Sequence, residues 1–162
     1  MKIPIRYLPK KLNNSDKKKQ ASQIKKSRKL YKQHKYFTRK NVKSFVSKPS
    51  PHVSNAQRIY KVDKITPNGE LAQKTGCSIS TLQKIMKKGQ GAYFSSGSRP
   101  NQTSQSWGNA RLASALTSGK AAAVDFSIIE KGCDHNKKAY RLAKSAKRKY
   151  GFGTGKTKKI SI

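Results

Sequence analysis

Acidic residues are what this chain is short of: six Asp and Glu stand against 38 Lys and Arg over 162 residues, a formal charge of +32. An isolated fold with that excess repels itself, which calls for a polyanion or an acidic protein surface as partner. Apolar residues are also thin, at 33%, so one modest core is the ceiling and any segment without a partner leans toward disorder. Cys77 and Cys133 are the only cysteines. Two are too few for a disulfide framework and read as small buried thiols in a reducing compartment, with no structural pair expected. The opening MKIPIRYLP has no apolar run of signal-peptide length and no window approaches a membrane span, so a cytosolic, nuclear or intraparticle setting is expected.

The charge is unevenly placed. Met1 to Lys48 holds seventeen basic residues and one acid, Asp16, and Asp134 to Ile162 holds ten basic residues and Asp134 alone. Between them, residues 89 to 129 carry only Arg99, Arg111, Lys120 and Asp125. The implied organisation is a basic arm and helix over 1–48, a central domain over 49–133, and a basic helix and tail over 134–162. The fold class is mainly α with short β segments, an α+β domain with extended terminal arms.

Pro4 and Pro9 make residues 1–13 an extended arm. A helix follows over about 16–33, capped by Asn14 or Ser15, with Ala21, Ile24, Leu30 and Tyr31 as a thin apolar stripe. A short helix is expected near 55–60, and another over 104–117, capped by Ser104 or Ser106. Residues 121–129 read as a strand or short buried segment. The last helix is the clearest: Asn136 as cap, Ala139, Leu142, Ala143, Ala146 and Tyr150 on one face, Gly151 at its end.

Two helices thus expose dense cation. Lys17, Lys18, Lys19, Lys25, Lys26, Arg28 and Lys29 lie on the first. Lys137, Lys138, Arg141, Lys144, Lys147, Arg148 and Lys149 lie on the last, which has no acid to balance them. Both sets are candidates for polyanion contact.

NGELAQKTGCSISTLQKIMKKG, residues 68–89, has helix-turn-helix spacing. Leu71 and Ala72 face inward, Gly76 takes the turn, Ser78 or Ser80 caps the second helix, and Leu82 and Ile85 return to the core. In a DNA reader Ser80, Thr81, Gln83, Lys84, Lys87 and Lys88 approach the major groove; in a packing corner they do not.

GFGTGKT, residues 151–157, is one residue short of a phosphate loop and lacks the flanking strand and helix, so it reads as a flexible basic tail with Gly153, Gly155, Lys156, Lys158 and Lys159. Cys133, His135 and Cys77 lack paired zinc spacing, so no metal is expected. The polar block 89–116 sets Arg99 among hydroxyls and amides between Tyr93, Phe94 and Trp107. Its GxGxYF run has a faint local likeness to the nicotinamide pocket of ADP-ribosyltransferases, but no His-Gly element precedes it and Glu130 is the sole later glutamate. The favoured reading is a self-satisfied structural centre of Tyr93, Phe94, Arg99, Asn101, Trp107 and Arg111, with no catalytic residue.

IRYLPKKL, HVSNAQRIYKV, ELAQKTGCS and the block GAYFSSGSRPNQTSQSWGNARLASALTSGKAAAVDF together resemble a basic protein family of nucleocytoplasmic large double-stranded DNA viruses, the giant viruses of algae and protists. The resemblance covers nearly the whole chain and implies context rather than chemistry. It implies a non-enzymatic structural protein of the virion, a minor capsid or internal component binding viral double-stranded DNA and/or acidic capsid proteins. A helix-turn-helix protein in transcription or genome organisation is the alternative, and an ADP-ribosyltransferase-like enzyme the distant one. No cofactor, membrane span or small-molecule substrate is expected, and the host cytoplasm or nucleus is the place of assembly.

Overall fold

A computed structural model describes residues 1–153 and 157–162. Among them, helices α1 to α8 and one two-stranded sheet form the mainly α architecture with short β segments that the sequence implies. Two compact units emerge: Met1–Lys48, Gln90–Trp107 and Lys156–Ile162 make one, Pro49–Gly89 and Gly108–Gly155 the other. This differs from the expected division. The neutral block 89–129 is shared between the units, and the last helix belongs with the central segment.

In the first unit, β1 (Lys2–Pro4) pairs antiparallel with β2 (Lys159–Ser161), Ile3 opposite Ile160. The arm and the end of the tail are therefore ordered rather than free; Gly155 and Lys156 of the expected flexible tail lie outside the described residues. Ile3, Tyr7, Leu8 and Leu12 are buried with Ile24 and Val42, because apolar residues this scarce are drawn into the core wherever they fall in sequence.

Helix α1 (Asn14–Lys32) starts earlier than expected, since Asn13 supplies the cap: its side chain accepts the Asp16 amide at 2.8 Å. The Asp16 carboxylate is turned instead to Ser44, accepting its hydroxyl at 2.6 Å and its amide at 2.8 Å. Those bonds hold the carboxyl below the usual aspartate range. Of the expected apolar stripe Ile24 is buried and Ala21 packs against the core, Leu30 and Tyr31 are half-buried, and the other buried residues of α1 are the polar Gln20 and Ser27. Gln20 donates to the Tyr7 and Ser98 carbonyls at 3.3 and 3.2 Å, and Ser27 to the Phe94 carbonyl at 3.0 Å, so hydrogen bonds dock the helix beside the apolar contact of Ile24.

The second unit contains α2 (Pro51–Tyr60), α3 (Gly69–Thr75), α6 (Lys120–Val124), α7 (Phe126–Gly132) and α8 (Lys138–Tyr150), with most of α4 (Ile79–Ser95) and α5 (Ser104–Leu116). Pro51 at the first position of α2 has no amide to lose there. Thr103, not Ser104 or Ser106, caps α5, exchanging bonds with Ser106 of 3.1 and 2.9 Å. Residues 121–129 are helical rather than a strand, split at Asp125. Lys137 rather than Asn136 occupies the cap position of α8, with no side-chain capping bond, and the Asn136 backbone amide donates to the Asp134 carboxylate at 2.9 Å. Ala139, Ala143 and Ala146 bury one face of α8. Their small side chains let it lie close against α6 and α7.

Helices α3 and α4 follow one another across a short turn where the sequence sets the helix-turn-helix spacing. Gly76 turns at φ +78°, a left-handed conformation suited to glycine, and a Cβ there would come within 2.5 Å of Lys137 Cγ. Ser78 caps α4 by accepting the Thr81 amide at 3.1 Å, and Leu71, Leu82 and Ile85 are buried.

The two cysteines are not free thiols: Cys77 and Cys133 form a disulfide. Their backbones meet in an antiparallel bridge, where the Ser78 amide donates to the Gly132 carbonyl at 3.0 Å and the Asp134 amide to the Gly76 carbonyl at 2.8 Å. The closed loop spans a sequence separation of 56. Loop closure on that scale stabilises by about 4 kcal/mol through the unfolded chain. Reduction, or Cys77→Ser with Cys133→Ser, is expected to lower the thermal midpoint by several degrees, measured by circular dichroism with and without dithiothreitol; coincident melts would mean that the bond does not form.

Candidate nucleic-acid interface

A helix with cations at three- and four-residue spacing gathers them into a stripe, and α8 does so with Lys138, Arg141, Lys144 and Arg148, all exposed. Its buried alanines face the opposite way. On α1, Lys18, Lys25 and Lys29 are likewise exposed, opposite Gln20, Ile24 and Ser27, with Lys17 half-buried at the first turn. None of these cations has a partner among the described residues. Both salt bridges found there end on one carboxylate, Asp125.

The remaining candidate cations hold structure. Lys19 donates to the Asn41 carbonyl at 3.0 Å, and Arg28 to the carbonyls of Ser96 and Lys2 at 2.8 and 3.1 Å. The Lys26 ammonium sits 4.5 Å from the centre of the Phe37 ring. Lys137 packs its stem on Gly76, Lys147 lies 4.1 Å from the Phe152 ring centre, and Lys149 lies 5.2 Å from that of Tyr150. These contacts set them apart from the open stripes, although each keeps its charge and Lys19, Lys26, Lys137 and Lys149 are exposed. Neutral carbonyls and aromatic faces take them because so few carboxylates exist.

On α4, Gln83, Lys84 and Lys87 are exposed as a groove-facing helix requires. Thr81 is not: it is buried, bonded to Ser78, and its side chain fills the space that a Cβ on Gly132 would need. Lys88 is held by Asp125 at 2.7 Å. The first turn of α4, where a helix-turn-helix protein approaches base edges, is thus partly covered by the end of α7.

The polar centre also differs from expectation. Arg99 is exposed, and the arginine at the centre of the first unit is Arg39, 6% exposed. Its guanidinium donates to the Tyr93 carbonyl at 2.7 Å, to Ser98 Oγ at 2.8 Å and to Ser27 Oγ at 3.0 Å. It lies 3.8 Å from the centre of the Tyr93 ring, while the Tyr93 hydroxyl accepts the Arg39 amide at 2.9 Å. Burial lowers its pKa from the ordinary arginine value, yet among the described residues no carboxylate contacts it. Asn101 accepts the Val42 amide at 2.7 Å and donates to the Phe45 carbonyl at 2.7 Å; Trp107 sets its edge against Tyr7, and Phe94 packs edge-on to Tyr93. Arg111 lies in the other unit, gripping Asp125 through two bonds of 2.9 and 2.8 Å. Nothing in local sequence marks Arg39, since its acceptors at Tyr93 and Ser98 are far along the chain.

Tyr93 is fully buried, so the two residues of the transferase likeness, Tyr93 and Arg99, do not share an open site. Among the described residues no cluster of His, Cys, Asp and Glu could hold a metal ion, and no helix is long and apolar enough to cross a membrane. One cleft of about 450 Å³ is lined by Lys17, Lys18 and Lys25 over Leu8, Ala21 and Ile162. Another, of about 420 Å³, is lined by Lys84 and Lys131 with Ser80 and Ser127.

The buried charges carry a direct test. Arg39→Lys keeps the charge but loses the planar fork, and is expected to cost about 2 kcal/mol; Arg99→Lys is expected to change stability by less than about 0.5 kcal/mol. Asp125→Asn leaves Arg111 and Lys88 unpaired and is expected to cost about 3 kcal/mol. Urea unfolding checks all three, and equal effects of the two arginine variants would contradict the assignment of the centre to Arg39.

No curated protein and no solved structure matches the chain. Residues 4–150, almost all of the folded sequence, match a family described as a family of unknown function, DUF5824, and the chain belongs to that family.

Proposed function

We propose that this protein is a non-enzymatic structural protein that binds nucleic acid through its phosphates, with the genome of a large double-stranded DNA virus as partner and the virion as its place. The observation that carries the reading is the unpaired cation on α1 and α8: exposed stripes of Lys and Arg, in a chain whose described salt bridges all end on Asp125. A formal +32 matches the phosphates of about 16 base pairs. The viral setting rests on the resemblance of the central sequence block.

A sequence-reading helix-turn-helix has weaker support. Thr81 and Lys88 are committed within the fold, which leaves Ser80, Gln83, Lys84 and Lys87 as the open candidates on α4. Backbone attraction needs none of that first turn.

Binding of a labelled duplex, followed by anisotropy, is expected to weaken about a thousandfold or more between 50 and 200 mM salt if six or more phosphates are contacted. Replacing Lys144 and Arg148 by Gln is expected to lower the salt slope by about 2, whereas Lys19→Gln, at a cation already bonded to the Asn41 carbonyl, leaves it unchanged. Affinity that is flat with salt would overturn the nucleic-acid reading and favour docking to an acidic protein.

A further inference from the structure

Beside the cationic stripe of α8 runs a row of rings. His135 stacks on Tyr140, with ring centres 3.9 Å apart and planes 11° from parallel. Tyr140 lies 6.0 Å from Phe126, and the Lys147 ammonium stands between Phe126, at 5.8 Å, and Phe152, at 4.1 Å. Positions 140, 144 and 147 adjoin on the helix surface, so Lys144 borders the same row. Phe126 and Tyr140 are half-buried against the core, while His135 is exposed and Phe152 is 76% exposed.

A phenylalanine that open is a cost in water, and an adjoining lysine does not remove it. Phosphate attraction alone has no use for the ring. An unpaired base has: it offers a flat apolar face to an aromatic side chain while the neighbouring phosphates meet the lysines. In a duplex the base faces are stacked on one another, and only phosphates and groove edges are offered. The first unit repeats the pattern independently. Tyr36, 70% exposed, lies between Tyr31 at 6.2 Å and Phe94 at 5.2 Å, and Lys32 and Lys35 beside it in sequence are exposed.

We propose that the row from His135 through Tyr140 and Phe126 to Phe152, with Lys144 and Lys147 set along it, is a stacking platform for unpaired bases, which makes single-stranded nucleic acid the preferred ligand. The proposal rests on the phosphate-binding part of the reading above and makes an unpaired strand, in place of the duplex named there, the preferred ligand. Phe152, at the open end, takes the first base; the half-buried rings extend the platform and fix its direction along α8.

The test compares three probes of equal length on the full chain at one salt concentration: oligothymidylate, an abasic oligomer with the same phosphates, and a duplex. Oligothymidylate is expected to bind most tightly. Phe152→Ala, at a side chain exposed enough to leave the fold intact, is expected to weaken oligothymidylate about 5- to 150-fold and the other two less than about twofold, while Phe152→Trp restores binding. Equal loss on all three probes, no loss on any, or tighter binding of the abasic oligomer or the duplex would overturn the platform and leave phosphate binding standing. Absence of salt-dependent binding to any probe would instead remove the reading on which the platform rests.

Discussion

Six carboxylates cannot neutralise thirty-eight cations, and most of the structure follows from that shortage. Where a cation must be buried, the fold supplies neutral acceptors: Arg39 is held by a carbonyl, two hydroxyls and the face of Tyr93. A guanidinium suits this role because its donors are fixed in a plane and its faces stack. Asp125, fully buried, is shared between Arg111 and Lys88. Of the other acids, Asp16 fastens Ser44 and Asp134 bonds the Asn136 amide ahead of α8. Among the described residues no carboxylate pairs with the exposed cations of α1 and α8.

The apolar shortage shapes the rest. Helix α1 docks through Gln20 and Ser27 as much as through Ile24, and α8 packs by alanine. Small contacts of this kind bury little surface per residue. The Cys77–Cys133 bond compensates where the turn between α3 and α4 meets the end of α7, and strand pairing ties the chain's two ends into the first unit's core.

What was legible in the sequence was local. The turn at Gly76, the cap at Ser78, the alanine face of α8 and the mainly helical fold depend on residues within one or two turns of each other. What was not legible depends on distant partners. Arg39 and Tyr93 are 54 residues apart, and Ile3 and Ile160 pair from opposite ends of the chain. Two cysteines separated by 56 positions carry no spacing signal of their own. Arg99 drew attention because its neighbours are polar, yet the centre belongs to an arginine in a stretch that reads as irregular. The cationic helices were visible as composition, but only side-chain geometry separates Arg28 and Lys19, bonded inward, from Lys144 and Arg148, left open. The aromatic row along α8 joins residues from three segments and has no sequence motif.

Among the described residues the exposed cations of α1 and α8 have no internal counter-ion, so the isolated fold repels itself. The most direct measurement of that repulsion is the thermal midpoint of the isolated protein as ionic strength rises from about 20 to 200 mM, where the Debye length falls from roughly 20 to 7 Å. Screening of self-repulsion predicts a midpoint that climbs with salt and climbs further with a stoichiometric oligonucleotide. A midpoint that stays level or falls with salt would contradict the account, because the cations would then be balanced inside the molecule.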